Sequence, residues 1–204
     1  MALTNPVTTK SALAGARGVG WVTRPMLVTL ALLLSFPLWA ETLGLYPYLG
    51  IEVVIWMIYA LGFNLLLGYT GLPSFGHGAF FGVGAYAYAL CHQSITQNPL
   101  AALFCGALAG GLAAALVACF IAHRRGIYFA LLTIPCGQVF WFVSMKWHSL
   151  TGGEDGLLNI HRTTMSLGVA RLNLQGNVTL YYFVVAVLAV CLVALLVIGW
   201  SLLP

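Results

Sequence analysis

The sequence carries very little charge. Lysine, arginine, aspartate and glutamate make up 6% of its 204 residues, whereas a soluble globular domain carries about 25%. Hydrophobic residues make up 61%, so the chain cannot cover itself with a water-facing surface. This shortage of charge excludes a soluble domain and predicts an integral membrane protein. The net charge of +4 comes from scattered basic residues, which favours a role in membrane orientation over nucleic-acid binding.

Motifs for catalysis, metals and cofactors are also missing. The sequence has no Gly-x-x-x-x-Gly-Lys-Ser/Thr phosphate loop, so this chain is not expected to hydrolyse ATP. It has no His-Glu-x-x-His, no Cys-x-x-Cys and no closely spaced pair of carboxylates suited to catalysis. We therefore expect no enzyme activity, no catalytic residue, no metal and no cofactor. The five cysteines are spread singly, which predicts small packing residues rather than a disulfide framework.

Long apolar runs dominate what is present. Six of them predict an all-α, polytopic membrane bundle, at about residues 26–40, 49–69, 74–90, 100–122, 127–147 and 180–203. Leu38 stands where a signal-peptide cleavage site needs a small residue, so the first run is interpreted as a membrane helix. We assign residues 1–24 to a cytoplasmic tail and residues 25–204 to a transmembrane domain. The polar stretch at about 148–178 is assigned to a periplasmic loop.

The basic residues give the orientation. With a cytoplasmic N-terminus, six crossings return Arg124 and Arg125 to the cytoplasm after the fourth. Five of the eight basic residues and no acid then lie at the cytoplasmic ends. This arrangement follows the positive-inside rule.

A short polar break from Tyr69 to His77 separates the second and third runs. It contains Gly71, Pro73 and Gly76, which disfavour a continuous helix. Nonhelical backbone at membrane depth must be buried in protein or line a wet cavity. Two interpretations stay open: the stretch from Ser74 begins a helix facing a transport path, or the break is a turn at the cytoplasmic face.

Several polar side chains are candidates to line such a path. Ser74 and His77 have the spacing of neighbours on a helix, but the residues beside the serine do not match an intramembrane protease. We interpret Ser74 as a helix cap and His77 as bonded to nearby backbone. Thr133 is ambiguous between lining the path and bonding between helices. The candidate path residues are Asn64, Tyr69, Ser74, His77 and Gln138, and the same ambiguity applies to Asn64 and Gln138.

Small residues at helical spacing predict close packing between helices. In lipid, helices associate through such faces because the hydrophobic effect does not draw them together. Ala102, Gly106 and Gly110 form one such face in the fourth run. The third run carries another, which we expect to face the fourth or a neighbour, at Gly78, Gly82, Ala85 and Ala89.

Three blocks of sequence resemble a known family. They are Gly62-Phe-Asn-Leu-Leu-Leu-Gly-Tyr-Thr-Gly with Ser74-Phe-Gly-His-Gly-Ala-Phe-Phe-Gly, then Arg125-Gly-Ile-Tyr-Phe-Ala-Leu-Leu-Thr, then Leu150-Thr-Gly-Gly-Glu-Asp-Gly-Leu. Their order and spacing resemble the high-affinity branched-chain amino acid ABC transporter permeases of the LivM type. Urea-importing permeases are similar in the first block, whereas the third is closer to the amino acid branch.

The resemblance implies an inner-membrane permease subunit and its partners. It would pair with a homologous permease, two cytoplasmic ATPase subunits and a periplasmic binding protein that delivers Leu, Ile, Val or a related substrate. The family continues beyond a span like 180–203 with an ATPase-docking loop and further spans, so the chain ending at Pro204 resembles a truncated, N-terminal portion. The alternatives are a non-transporting scaffold and a permease for another small substrate such as urea.

Overall fold

The computed structural model describes residues 24–40, 42–121, 123, 126–158, 160, 164–167 and 170–202. Arg124 and Arg125, which set the predicted orientation, lie outside these residues, as does the tail before Arg24. The described chain divides into two units, one ending at Tyr46 and one beginning at Pro47.

The first unit contains helix α1, Arg24–Ala40. The turn after it is closed locally, because the Thr42 hydroxyl donates to the Trp39 carbonyl at 2.7 Å. Its apolar part, Val28–Ala40, is shorter than a full membrane span.

The second unit is a bundle of five long helices. They are α2 (Pro47–Thr70), α3 (His77–Ser94), α4 (Pro99–Ile121), α5 (Ile127–Lys146) and α7 (Asn177–Leu202). Among the described residues, α2, α4, α5 and α7 are long and apolar enough to cross a membrane. The prediction of an all-α, polytopic membrane bundle is confirmed. The six described long helices, α1 and these five, coincide with the six apolar runs of the sequence, although α1 and α3 are not among the four that are long and apolar enough to span.

The α3–α4 contact is the most extensive in the bundle, and glycine makes it close. A Cβ added to Gly106 would lie 2.7 Å from the Gly84 carbonyl oxygen, and one added to Gly110 would lie 3.1 Å from the Phe80 carbonyl oxygen. Ala102, on the same helix, is fully buried. The small-residue face of α4 therefore lies against α3.

The matching face of α3 differs from the expected one. The close approach is made by Gly84, whereas a Cβ added to Gly82 would meet no atom within 4 Å. Gly78 faces α2, where a Cβ would lie 3.6 Å from the Tyr59 hydroxyl. Gly82 and Gly84 project from different sides of the helix, and the second side is the one that contacts α4. Of the expected face, Ala89 is buried and Ala85 is exposed.

The bundle is completed by α7, which packs against α2. Tyr181 and Val185 of α7 and Val54 of α2 are among the most buried side chains of the chain. At α4, Asn98 begins the helix by accepting a bond from the Leu100 amide at 3.1 Å, and Pro99 occupies the first helical position.

The region between α5 and α7 holds structure that the sequence analysis did not predict. It contains a one-turn helix α6 (His148–Thr151) and a 3₁₀ helix at Gly153–Asp155. Strands β1 (Thr164–Leu167) and β2 (Ala170–Asn173) pair antiparallel, with Thr164 opposite Asn173 and Leu167 opposite Ala170. α5 continues through Pro135, although proline removes one backbone donor from the helix.

Candidate functional site

The break between α2 and α3 is nonhelical from Gly71 to Gly76. α2 ends at Thr70, and Gly71 follows with a φ of 66°, a left-handed conformation that glycine adopts without strain. Its amide donates to the Leu67 carbonyl at 3.0 Å, which closes the last turn. The predicted interruption is therefore present, with its ends set by a glycine cap and by the start of α3 at His77.

The end of the break is anchored on α5. The Phe75 amide donates to the Thr133 hydroxyl at 3.1 Å, and that hydroxyl donates to the Ala130 carbonyl at 2.7 Å. Thr133 is 3% exposed. The backbone of Gly76 lies so close to α5 that an added Cβ would overlap the Thr133 carbonyl oxygen, and a Cβ on Gly137 would lie 3.3 Å from the Gly76 Cα. Glycine at 76 and 137 thus permits the contact that Thr133 fixes.

The start of α3 lies inside the bundle rather than level with the ends of its neighbours. On α2, Gly62 lies against the His77 ring and is eight residues before the helix end at Thr70, about 12 Å along the axis. On α5, Thr133 is six residues after the helix start at Ile127, about 9 Å along the axis.

The contact with helix α4 indicates a similar depth for the start of α3. Gly110, which packs on Phe80, is eleven residues before the helix end at Ile121, while Phe80 is three residues into α3. The difference corresponds to about 12 Å. Three neighbours therefore place the first turn of α3 about 10 Å inside the bundle. The break therefore folds back from the end of α2 into the bundle.

A cleft of about 480 Å³ lies between α3 and α5 and reaches the end of the break. This volume is within the range of about 300–1,000 Å³ typical of small-molecule sites. The lining is mostly apolar or small, and its polar side chains are Tyr86, Gln138 and Ser144. Gly76 and Gly78 line it too, so the N-terminus of α3 opens into the cleft. We call this space the α3–α5 cleft.

Ser74 and His77 differ from their expected roles. The residue that precedes α3 is Gly76, and no side chain caps the helix, so Ser74 is not its cap. The Ser74 side chain is 3% exposed, and its hydroxyl oxygen has no hydrogen-bond partner among the described residues. His77 packs against the rings of Tyr59 and Phe63, with centroids 5.0 and 6.0 Å away. It therefore lies in an aromatic contact between α2 and α3.

The remaining candidate residues do not come together. Gln138 lines the α3–α5 cleft. Asn64 and Tyr69 lie on exposed positions of α2 and are not among the residues that line the cleft. Thr133 bonds between elements, at the break. Bonding between elements was one of the two interpretations that the sequence left open for Thr133.

Hydrogen bonds near the end of α5 lie at the opposite end of the cleft. The Ser144 hydroxyl donates to the Tyr86 hydroxyl at 3.3 Å, which joins α5 to α3. The Thr151 hydroxyl donates to the carbonyls of Ser144 at 2.5 Å and Trp147 at 2.8 Å. Sequence reasoning did not single out these residues, because their roles depend on contacts between separate elements.

The third family-like block forms the loop that begins at this end. Gly152 and Gly153 have φ of 77° and 64°, which favour glycine, and Cβ atoms there would collide with Gly156 and the His148 ring. Further along, the Leu158 carbonyl accepts from the Gln93 side chain at 2.9 Å. The loop is thereby tied to the last turn of α3.

The chain is similar to known proteins over nearly all of its second unit. The family model described as branched-chain amino acid transport system / permease component matches residues 48–203. This match covers the five long helices of the second unit and the loop before α7.

Two curated proteins are similar over about half of the chain. The high-affinity branched-chain amino acid transport system permease protein LivM of Escherichia coli (strain K12) is 31% identical over 115 residues, which is 55% of this chain and 26% of that protein. The protein of the same description from Salmonella typhimurium (strain LT2) is 29% identical over 112 residues, with the same coverage. The similarity thus spans about a quarter of the length of these relatives. No solved structure shows a significant match.

Proposed function

This chain belongs to the branched-chain amino acid transport permease family, and from that premise we propose that it forms part of a translocation path for leucine, isoleucine, valine or a related amino acid. Membership makes it a multi-pass membrane protein of a transport system rather than an enzyme. The observation that carries the proposal about the path is the re-entrant start of α3, which opens into the α3–α5 cleft.

The cleft suits a small, largely apolar cargo. Its lining combines aromatic and aliphatic side chains, such as Ile134, Phe140 and Trp141, with the polar groups of Gln138 and Tyr86. Small-molecule sites commonly have this composition, in which apolar groups supply contact area and a few polar groups fix the orientation.

The proposed assembly follows the family. The chain would pair with a homologous permease, be driven by two cytoplasmic ATPase subunits and receive substrate from a periplasmic binding protein. In the orientation given by the basic residues, α3 starts on the cytoplasmic half of the bundle. The loop containing Gly152 and Gly153 faces the binding protein on the periplasmic side.

Thiol labelling tests the path. We would place a cysteine at Gly82, which lines the cleft and has open space for a side chain, in a full-length, assembled transporter whose native cysteines are replaced by serine. Gly111 provides the matched control, since it also has open space but lies on α4 outside the cleft lining. Adding leucine, binding protein and ATP should change the labelling rate by a water-soluble maleimide at position 82 and leave position 111 unchanged. Labelling at 82 that ignores substrate and ATP would contradict a path through the cleft.

Uptake by the same assembly tests the cargo. Radiolabelled leucine, isoleucine and valine should accumulate in proteoliposomes in an ATP-dependent manner, and urea should not. Accumulation of urea alone would favour the alternative substrate. Assembly with partners but no uptake of either would favour a scaffold.

A further inference from the structure

Gly82 occupies a position in α3 that packing does not explain. A Cβ added there would meet no atom within 4 Å. The residue lies inside the helix and has no positive φ that would require glycine, and glycine weakens a helix relative to alanine. Gly82 does line the α3–α5 cleft. The missing side chain therefore contributes to the space of the cleft rather than to a contact between helices.

Two contacts between α3 and α5 give the register of the two walls of the cleft. Near the start of α3, a Cβ on Gly137 would lie 3.3 Å from the Gly76 Cα. About one turn further along both helices, the rings of Phe80 and Phe140 have centroids 6.1 Å apart. The two walls therefore run in the same direction, and a step along α3 is matched by a similar step along α5.

This register places Gly82 at about the level of Trp141 on the opposite wall. Gln138 lies one turn nearer the start of α3, three residues before Trp141 and about 4.5 Å away along the axis. Both of these α5 side chains line the cleft. The cleft thus has an aromatic ring across from the open space at Gly82, with a primary amide one turn away.

The Gln138 amide lies in the middle of a helix that is long enough to cross the membrane. It is eleven residues after the start of α5 and eight before its end, so it is about 12 Å or more from both ends. Gln138 occupies an exposed position, and no residue in the described part of the chain hydrogen-bonds to its amide. An amide away from water is costly without a partner. A ligand in the cleft with polar groups would provide one.

We propose that Gly82 and Gln138 determine which cargo the α3–α5 cleft accepts. Gly82 leaves room for a branched aliphatic side chain against Trp141. The Gln138 amide binds the polar end of the same amino acid, because its NH₂ group can donate to the carboxylate and its carbonyl can accept from the ammonium group. This inference rests on the proposed function and adds the side chains that select the cargo.

Competitive uptake tests the role of Gly82. Proteoliposomes with the assembled transporter and an unchanged binding protein receive differently radiolabelled leucine and valine at equal concentrations, so a changed ratio originates in this chain. Gly82→Ala should lower the ratio of leucine to valine uptake. Gly82→Val should lower it further, to about a tenth of the parent ratio or less, because one methylene in an apolar pocket changes selectivity by about tenfold or more. Gly111→Val should keep the parent ratio, since position 111 has open space but lies outside the cleft lining.

Gln138→Leu tests the amide with little change in side-chain volume. Leucine is more favourable than glutamine against lipid, so this variant would transport normally if the amide faced lipid. We expect instead that uptake of leucine and valine falls about tenfold or more, because a hydrogen bond to a charged group is lost. The ratio of the two should stay at the parent value. Gln138→Asn keeps the amide and should retain part of the uptake.

Co-purification of all subunits in equal proportion to the parent shows that each variant assembles. Uptake by the parent with an unchanged ratio in Gly82→Val, or with normal uptake in Gln138→Leu, would overturn this inference and leave the proposed function standing. A proportional loss of both substrates in Gly82→Ala would overturn it too, since selection by size must change the ratio. A parent assembly that takes up no amino acid would overturn the proposed function and this inference together.

Discussion

Thr133 is the residue on which the position of the break most depends. Its hydroxyl accepts a hydrogen bond from the Phe75 amide and donates one to the Ala130 carbonyl. Acting as both acceptor and donor, it links the end of the break to α5. Ser74, the polar neighbour in the break, makes no such link among the described residues. The side chain that holds the break is therefore on a different helix.

Replacing Thr133 with valine should destabilise the bundle. Valine has nearly the same shape but leaves the Phe75 amide without its acceptor, and an unsatisfied buried donor costs about 1–3 kcal/mol. Denaturant unfolding in mixed micelles would measure the loss. Thr133→Ser keeps the hydroxyl and should retain most of the stability. Equal losses in both variants would show that the methyl group matters and the hydrogen bond does not.

Gly106 offers a second test at a single residue. Alanine there would place a Cβ 2.7 Å from the Gly84 carbonyl oxygen, and such overpacking typically costs about 1–3 kcal/mol. Gly111→Ala is the control on the same helix, because its Cβ would meet nothing within 4 Å. We expect a lower yield of folded protein for Gly106→Ala alone. Similar yields for the two variants would remove the argument that α3 and α4 depend on close backbone approach.

The sequence could predict that small residues allow the helices to pack closely. It predicted the contacting face correctly on α4 but not on α3. On α4 the spacing of Ala102, Gly106 and Gly110 selects one face, and that face contacts α3. On α3, glycines occur on more than one side, and the four-residue spacing at Gly78 and Gly82 favours the side that does not meet α4. Periodicity identifies a face, whereas the neighbour of that face depends on the tertiary arrangement.

At the scale of elements, local sequence signals predict where the break lies along the chain but not how deep it lies in the bundle. Glycine and proline indicate where helices end, and the observed helix ends at Thr70 and His77 agree with them. Depth does not follow from these signals, because it depends on which level of α2, α4 and α5 meets the start of α3. The hairpin β1–β2 was missed for a related reason: four-residue strands in a polar stretch carry little periodic signal.

A methyl group at Gly76 should move the start of α3 away from α5. The added Cβ would overlap the Thr133 carbonyl oxygen, which belongs to helix backbone and cannot easily shift. We expect Gly76→Ala to reduce substrate uptake by the assembled transporter at least tenfold while the protein still inserts into the membrane. The Gly68→Ala variant, whose Cβ lies in open space on α2, should transport normally. Normal uptake in Gly76→Ala would show that the contact between the break and α5 is not needed for transport.

At the scale of the whole molecule, orientation determines which side of the membrane each feature serves. The helix ends at Thr70 and Ile121 and the start at Ile127 lie on one side of the bundle, since all three are at a similar distance from the start of α3. The loop with Gly152 and Gly153 follows α5 at the other side. The fold fixes this relation between the two ends, but a bundle can be inserted in either direction.

Reporter fusions test the direction in which the bundle is inserted in the membrane. Because Arg124 and Arg125 follow α4 without an intervening acid, the positive-inside rule retains that end in the cytoplasm. A green fluorescent protein fused after Arg125 should fluoresce, and alkaline phosphatase fused near Gly156 should be active. Replacing both arginines with glutamine should lower the activity difference between the two sites, because it removes the charge bias. The opposite pattern in the parent chain would place the start of α3 on the periplasmic half and reverse the direction in which cargo meets the cleft.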